Sequence, residues 1–427
     1  MHRALAVKKP FAISLLVLAL TAPAAAGSLE SAGDGSYTNN PDLLREAVDG
    51  MDGACSDCDP GPSVIEFDDH FFDVDWSLAL RGGFVQDSVS GSYWEASAVP
   101  SFALSRESSR SRLSLSGSAE FVRSEIAPAR LASLRLAVAG DYRLDQLTIL
   151  GLDASVTLAR PASNAPGTAT NVTENSQTLD GGISGTVQHR FGAFDVEVRG
   201  NLQRTLNGPT TTTGGVVTDN SWQDNTSGGG GLRLTMDVSP TFSLFTDLSA
   251  AYASYNGVSP TLGVSFNGPT YTTKAGIKAS WRSLLEAEGS VGVGLRRYDT
   301  AGLADFQALL YDGRLVFTPD ETWTFTTTLS TTMQPPGTSG GNGRVVYAVG
   351  ADARYTVNPW LALRASASWT RTAVVGTGAV ETVYTLGAGA DYAVNDSVTV
   401  NADYTFSRAD TPQRDIHRWM VGLTFAK

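Results

Sequence analysis

The chain lacks any apolar run that could cross a bilayer as a helix, which takes about 20 residues. Its most apolar stretch, FAISLLVLAL at 11–20, falls well short, so a helical membrane protein is excluded. Charge is scarce as well: 17% of the 427 residues are Asp, Glu, Lys or Arg, against about 25% in ordinary domains. Helix-forming stretches rich in Ala, Leu, Glu and Lys are almost absent, which argues against a soluble enzyme of the usual helical or mixed kind. Bases are outnumbered, 31 to 43 acids, and nothing is basic enough to hold nucleic-acid phosphates. Cysteines number two and histidines four. Of the histidines, His2 lies near the start and His70, His189 and His417 are isolated, each without a metal-binding or catalytic motif around it. Catalysis, a metal and a cofactor are therefore not expected.

What is present begins with a leader pattern. Arg3, Lys8 and Lys9 precede the apolar run, and TAPAAA at 21–26 ends in small residues with Ala24 and Ala26 at the positions a signal peptidase reads. Residues 1–26 are expected to be a secretory signal peptide. Residues 27–73 follow with twelve acids and one base, Arg45. This segment is rich in Gly, Ser, Asp and Pro and reads as a largely unstructured acidic periplasmic extension with one short helix after Asn40-Pro41. It holds Cys55 and Cys58 in a CSDC motif. In an oxidising compartment the expected state is a local disulfide, because two thiolates alone make an incomplete zinc site and no thioredoxin-like pattern surrounds them.

From residue 74 to 427 the period changes to two. In 360–369 (WLALRASASW), Leu361, Leu363, Ala365, Ala367 and Trp369 alternate with Ala362, Arg364, Ser366 and Ser368; 194–203 and 398–407 alternate in the same way. Such segments are strands with one apolar and one wet face. A soluble sandwich would alternate too, but three features point to a membrane. The segments run about 10 to 13 residues, the length of a tilted spanning strand. Their apolar faces carry aromatics at the ends: Trp76, Tyr142, Trp281, Trp323, Trp360 and Tyr392 near one rim, and Trp94, Tyr252, Tyr271, Trp369 and Tyr384 near the other. Connections alternate between short ones (191–192, 239–241, 282–284, 319–321, 358–359, 395–397) and longer ones (160–177, 205–224, 256–267, 299–305, 335–342, 373–381). The fold class expected is all-β: a transmembrane antiparallel up-and-down β-barrel of about 18 strands, 16 being the alternative, with both termini in the periplasm.

Charged residues then have one place to go. On a lipid face a midplane Arg or Lys costs about 2–4 kcal/mol. The bases Arg81, Arg135, Arg199, Arg233, Lys274, Lys278, Arg296, Arg314, Arg354 and Arg364 are therefore expected to line the lumen. So are the acids Glu95, Glu120, Asp141, Asp153, Asp195, Glu197, Asp237, Asp247, Glu286, Glu288, Asp312, Asp352, Asp391 and Asp403. Their mixed signs argue against a strongly ion-selective pore. The loops 160–177 and 205–224, rich in Thr and Asn, are the candidates to fold inward.

Two strand–turn–strand units, YTVNPWLALRASASWTR (355–371) and DYAVNDSVTVNADYTFSR (391–408), resemble the porin type 2 family of bacterial outer-membrane β-barrels. The opening DVDWSLALRGGF (73–84) is similar to the first strand of its alphaproteobacterial members. The resemblance covers roughly 74–427 and implies a large barrel. The last strand, with Trp419, Val421, Leu423 and Phe425 on one face, resembles the terminal signal read by the barrel assembly machinery, although Ala426 and Lys427 follow the final aromatic. The expected function is a porin-like channel in a Gram-negative outer membrane, passing small hydrophilic solutes. Some relatives belong to exopolysaccharide export, so a polysaccharide-export barrel is one alternative and a purely structural barrel another. The expected partners are outer-membrane lipid and lipopolysaccharide, the assembly machinery and the transported solute or polysaccharide; the oligomeric state is left open.

Overall fold

The computed structural model describes residues 72–166, 168–337 and 340–427. The expected leader, nearly all of the acidic extension and the Cys55–Cys58 pair lie outside the described residues. The strands are β1 Asp73–Asp87, β2 Gly91–Glu107, β3 Ser111–Ser124, β4 Ala127–Arg143, β5 Thr148–Ala159, β6 Val172–Glu174, β7 Thr178–Phe191, β8 Phe194–Asn207, β9 Thr210–Thr212, β10 Val217–Thr218 and β11 Asn225–Ser239. They continue as β12 Phe242–Tyr255, β13 Gly268–Trp281, β14 Leu285–Arg296, β15 Phe306–Asp320, β16 Trp323–Gln334, β17 Gly343–Asn358, β18 Leu361–Val375, β19 Val380–Asn395, β20 Val398–Asp410 and β21 Gln413–Ala426.

Eighteen of these form one antiparallel sheet, and the short β6, β9 and β10 form a second of three strands. Each long strand pairs with the next long strand along the chain. The ring closes where β1 meets β21, from Ser77 opposite Ala426 to Asp87 opposite Ile416. Trp76 and Lys427 exchange backbone hydrogen bonds just beyond, at 3.2 and 3.1 Å. Closure is what a sheet in hydrocarbon requires, because an open edge would leave its N–H and C=O groups unpaired. The count is 18 rather than 16. The ambiguous stretch 87–130 resolves into tight hairpin connections at 88–90, 108–110 and 125–126.

The alternation read from the sequence becomes two surfaces. Trp76, Trp94, Leu152, Val198, Tyr252, Tyr271, Trp281, Leu309, Trp360, Leu386, Tyr392 and Val421 are all exposed, as on a surface built to meet lipid. Trp323 stacks on Phe325 and Tyr355, with centroids 5.2 and 4.3 Å apart. At one end of the barrel the connections are two to four residues long, and several share one device. An Asp or Asn at the start of the turn accepts the N–H two residues on: Asp145 from Leu147 (2.7 Å), Asp320 from Thr322 (2.8 Å), Asn358 from Trp360 (3.1 Å) and Asn395 from Ser397 (2.9 Å). This is the Asx turn, which satisfies a donor the ladder has left behind. At Asp145 the Leu147 N–H, followed by the Thr148 hydroxyl, holds the carboxyl below the usual carboxylate range.

At the closing seam the backbones approach closely at Gly83. A Cβ there would stand 1.9 Å from the Trp419 carbonyl oxygen, and backbone cannot yield as a flexible side chain can. Gly83→Val is expected to cost about 1–3 kcal/mol, the range for overpacking. A lower urea midpoint and a smaller compact band on unheated gels would show it; an unchanged midpoint would refute the seam's tightness at this point.

Candidate functional site

The polar surface of the barrel is the candidate site. Register puts every one of the charged residues singled out in the sequence on the face opposite the exposed apolar one. Arg81 stands across from Ser97 and Gly422. Glu120 and Arg135 face serines of the neighbouring strands, and Asp141 faces Arg112. Across four strands the charges form a row: Glu197 opposite Arg233, Arg233 opposite Asp247, Asp247 opposite Lys274. A second row runs Lys278, Glu288, Arg314. Glu286 and Arg296 lie on β14, Asp352 and Arg354 on β17, and Asp195, Arg199 and Asp237 on β8 and β11, all on this face.

Side chains then reach over intervening strands. Arg199 on β8 meets Asp247 on β12, and Arg190 on β7 meets Asp237 on β11. Lys274 on β13 meets Asp312 on β15. Arg364 holds Asp391 on β19 and Asp403 on β20, each at 2.8 Å, while Arg354 approaches Asp391 at 3.9 Å. Arg418 on β21 reaches Glu95 on β2 across β1 at 3.3 Å. The longest span is Arg233 on β11 to Glu288 on β14 at 2.9 Å, which passes two strands. With strands about 4.8 Å apart, three spacings make roughly 14 Å. Side chains converge on a concave wall and splay on a convex one, so contacts of this reach favour the inside of the ring. The Arg233 guanidinium also lies 3.8 Å from the centre of the Phe245 ring, an apolar residue on the polar face.

At the end with the long connections, this face carries two packed clusters. In the first, Val85, Tyr93 and Ile416 are buried together beneath a fully buried ion pair. Arg414 donates to both Asp87 oxygens, at 3.0 and 2.6 Å, and to Ser90 Oγ at 2.8 Å. Asn164, from the 160–177 connection, donates to Asp87 at 3.3 Å and to the Tyr93 hydroxyl. That loop leaves β5 yet reaches β2 and β1, three and four strands away, so it leans across the barrel end. It is also joined to the 208–224 connection through the β6–β9–β10 sheet. In the second cluster, Phe266, Phe306, Leu310 and Val346 are buried on the opposite side of the mouth, with the Tyr298 hydroxyl donating to the Asn342 carbonyl at 2.6 Å.

The histidines stand apart from these clusters. His189 Nδ1 and the Thr148 hydroxyl share a hydrogen bond of 2.8 Å, and Thr148 also reaches Asp145 at 3.0 Å. The carboxylate thus touches the hydroxyl rather than the imidazole, which is a turn cap and not the orientation of a catalytic triad. His417 shares a 2.9 Å bond with the Tyr404 hydroxyl in an aromatic group with Phe406 and Trp419. Among the described residues no group of three or more His, Cys, Asp or Glu could hold a metal ion. Asp87, Arg414 and Asn164 escaped the sequence reading. Asp87 and Arg414 sit at strand ends beside tight hairpins where alternation fades, and an Asn within a Thr- and Asn-rich loop carries no pattern.

A closed antiparallel barrel with an apolar exterior and charges gathered on its other face is an outer-membrane β-barrel of the porin class. The family described as Putative beta-barrel porin 2 matches residues 85–426, and the chain belongs to it. Among solved structures, Pseudomonas aeruginosa OpdK with vanillate is 12% identical, with a TM-score of 0.42 over 83% of this chain and 99% of its own. OccK3 (OpdO) of the same organism is 10% identical, with a TM-score of 0.41 over 83% of this chain and 96% of its own. The FrpB iron transporter from Neisseria meningitidis (F5-1 variant) is 10% identical, with a TM-score of 0.42 over 79% of this chain and 63% of its own. No curated protein matches the chain.

Breaking the Asp87–Arg414 pair tests how much the mouth rests on it. The two side chains are 0% and 3% exposed, so Asp87→Ala leaves a buried guanidinium without its counter-charge, and a loss of about 3–5 kcal/mol is expected. Asn164→Ala removes only the loop's hold: little change in global stability is expected, but faster cleavage by a glutamate-specific protease after Glu174, the only glutamate of the 160–177 connection. Equal cleavage of the variant and the parent would show that Asn164 does not secure the loop.

Proposed function

We propose that the protein is a diffusion channel for small hydrophilic solutes in the outer membrane of a Gram-negative bacterium. The observation that carries this reading is the closed ring of 18 strands with its charges on one face. A barrel of 16 to 18 strands is too wide for wall side chains to fill, and leaves an aqueous passage unless something plugs it. In this reading the polar face is the lumen wall, and Arg199, Arg233, Lys274, Glu288, Asp312 and Arg364 with their partners keep it wet and electrically balanced. The leaning 160–177 loop and the cluster opposite it narrow the entrance. Both ends of the barrel's ladder, at β1 and β21, lie on the side of the short turns, and in this reading that side is the periplasmic one. In this reading the assembly machinery takes the last strand by Trp419, Val421, Leu423 and Phe425, which share one face.

Purified, folded protein in a planar bilayer is expected to give steady ohmic openings with near-equal permeability to potassium and chloride, because the wall is ion-paired. Asn164→Ala is expected to raise the open conductance or make it flicker. A heat-modifiable barrel that passes no current overturns the channel reading. Strong preference for one ion would overturn the balanced wall.

A further inference from the structure

Most cations of the polar face meet a carboxylate within 4.0 Å, as Arg199, Arg233, Lys274 and Arg364 do. On the side of the mouth opposite the Asp87–Arg414 pair, two arginines depart from that pattern. Arg296, the last residue of β14, is only 5% exposed, yet it meets neutral oxygens alone. It donates to Thr270 Oγ1 at 3.0 Å and to the Phe266 carbonyl at 3.1 Å, and its Nε has no acceptor. Its guanidinium carbon lies 5.3 Å from the centre of the Tyr298 ring. Arg344, near the start of β17, is half-buried and has a long 3.4 Å contact with the Pro335 carbonyl. Tyr255, the last residue of β12, is in electrostatic reach of both arginines. The acids nearby do not neutralise the pair: Glu381 interacts with Arg344 from beyond ion-pair distance, and Asp305, beside Tyr298, is met by Arg297 at 3.7 Å.

One buried and one half-buried guanidinium beside one distant carboxylate leave a net positive, poorly solvated spot. A cation in that setting is stabilised by a counter-charge that also accepts its hydrogen bonds. Arg344 retains access to water, whereas Arg296 is sealed behind Phe266 and Tyr298 and contributes charge alone. We propose that the mouth holds a docking site for a small oxyanion, a carboxylate or a phosphate, contacted by Arg344 and Tyr255 and backed by the buried charge of Arg296. The planar fork of Arg344 suits either group, and the Tyr255 hydroxyl supplies a further donor. The inference deepens the channel reading, giving its entrance a preferred class of solute, but the binding itself does not require conduction.

Titration calorimetry of the folded full chain in detergent tests it, with inorganic phosphate and galacturonate as probes and galactose as the neutral control. Saturable binding of at least one oxyanion and none of galactose is expected. The arm that binds tells phosphate from carboxylate. Arg344→Gln should weaken binding by about tenfold or more, Arg344→Lys should restore part of it, and Arg143→Gln at the short-turn end should leave it unchanged. Folding of each variant is checked by its heat-modifiable mobility. Absence of saturable binding of both oxyanions in the parent, or equal binding by the folded Arg344→Gln variant, overturns the site. A bilayer recording separates the two ideas. Binding without current leaves the site and removes the channel; current without binding leaves the channel and removes the site.

Discussion

Everything in this structure depends on the hydrogen-bonded seam between β1 and β21. A sheet in hydrocarbon has no water to satisfy its edges, so the first and last strands must find each other across the whole chain. The residues that meet there permit a close approach. Gly83 lets the backbone of β21 come near, and the ladder runs from Ser77 to Asp87. At the end with the long connections, the buried Asp87–Arg414 pair ties the same two strands. Bringing such distant segments together is entropically expensive before any contact rewards it, and the continuous ladder of every earlier hairpin is what delivers β21 to β1.

Once the ring is closed, period-two alternation acquires a physical meaning. One parity meets lipid, and the other is turned to a surface where opposite charges can meet. These ion pairs are partly exposed, commonly by a fifth to two-fifths, and pairs of that kind add little to stability. Their contribution is to the wall's electrical character. Placing Glu197, Arg233, Asp247 and Lys274 side by side cancels charge locally along that stretch of the polar face. Arg296 and Arg344 depart from this balance where the loops crowd inward.

The mouth follows a different logic from the wall. Its buried residues, Val85, Tyr93 and Ile416 on one side and Phe266, Phe306 and Leu310 on the other, are covered because long connections lean over the polar face. A surface that would otherwise be wet becomes in places a small core, and polar groups trapped there need partners. Asp87 finds Arg414 and Asn164. Arg296 finds neutral oxygens and an aromatic ring.

How much of this was readable in the chain follows from the range of each interaction. Alternation is local, so WLALRASASW announces a strand with two unlike faces by itself, and the repeated short turns after Asp or Asn mark where each strand reverses. Those features determined the barrel, a strand number close to 18 and the sorting of residues such as Arg199, Glu288 and Asp403 onto the charged face. The weak turns near 88–90 and 125–126 left 16 strands as an alternative because they carry no Asn-Gly or proline signal. Which charges pair was beyond the sequence: Arg233 reaches Glu288 only because curvature brings β11 and β14 within side-chain length. Likewise, nothing beside Asp87, Asn164 or Arg414 hints that they meet. The sequence by itself decided which face each residue occupies, since that depends on its neighbours two positions away; the tertiary structure decided which residues touch across the ring, since that depends on closure, shear and the lean of the loops.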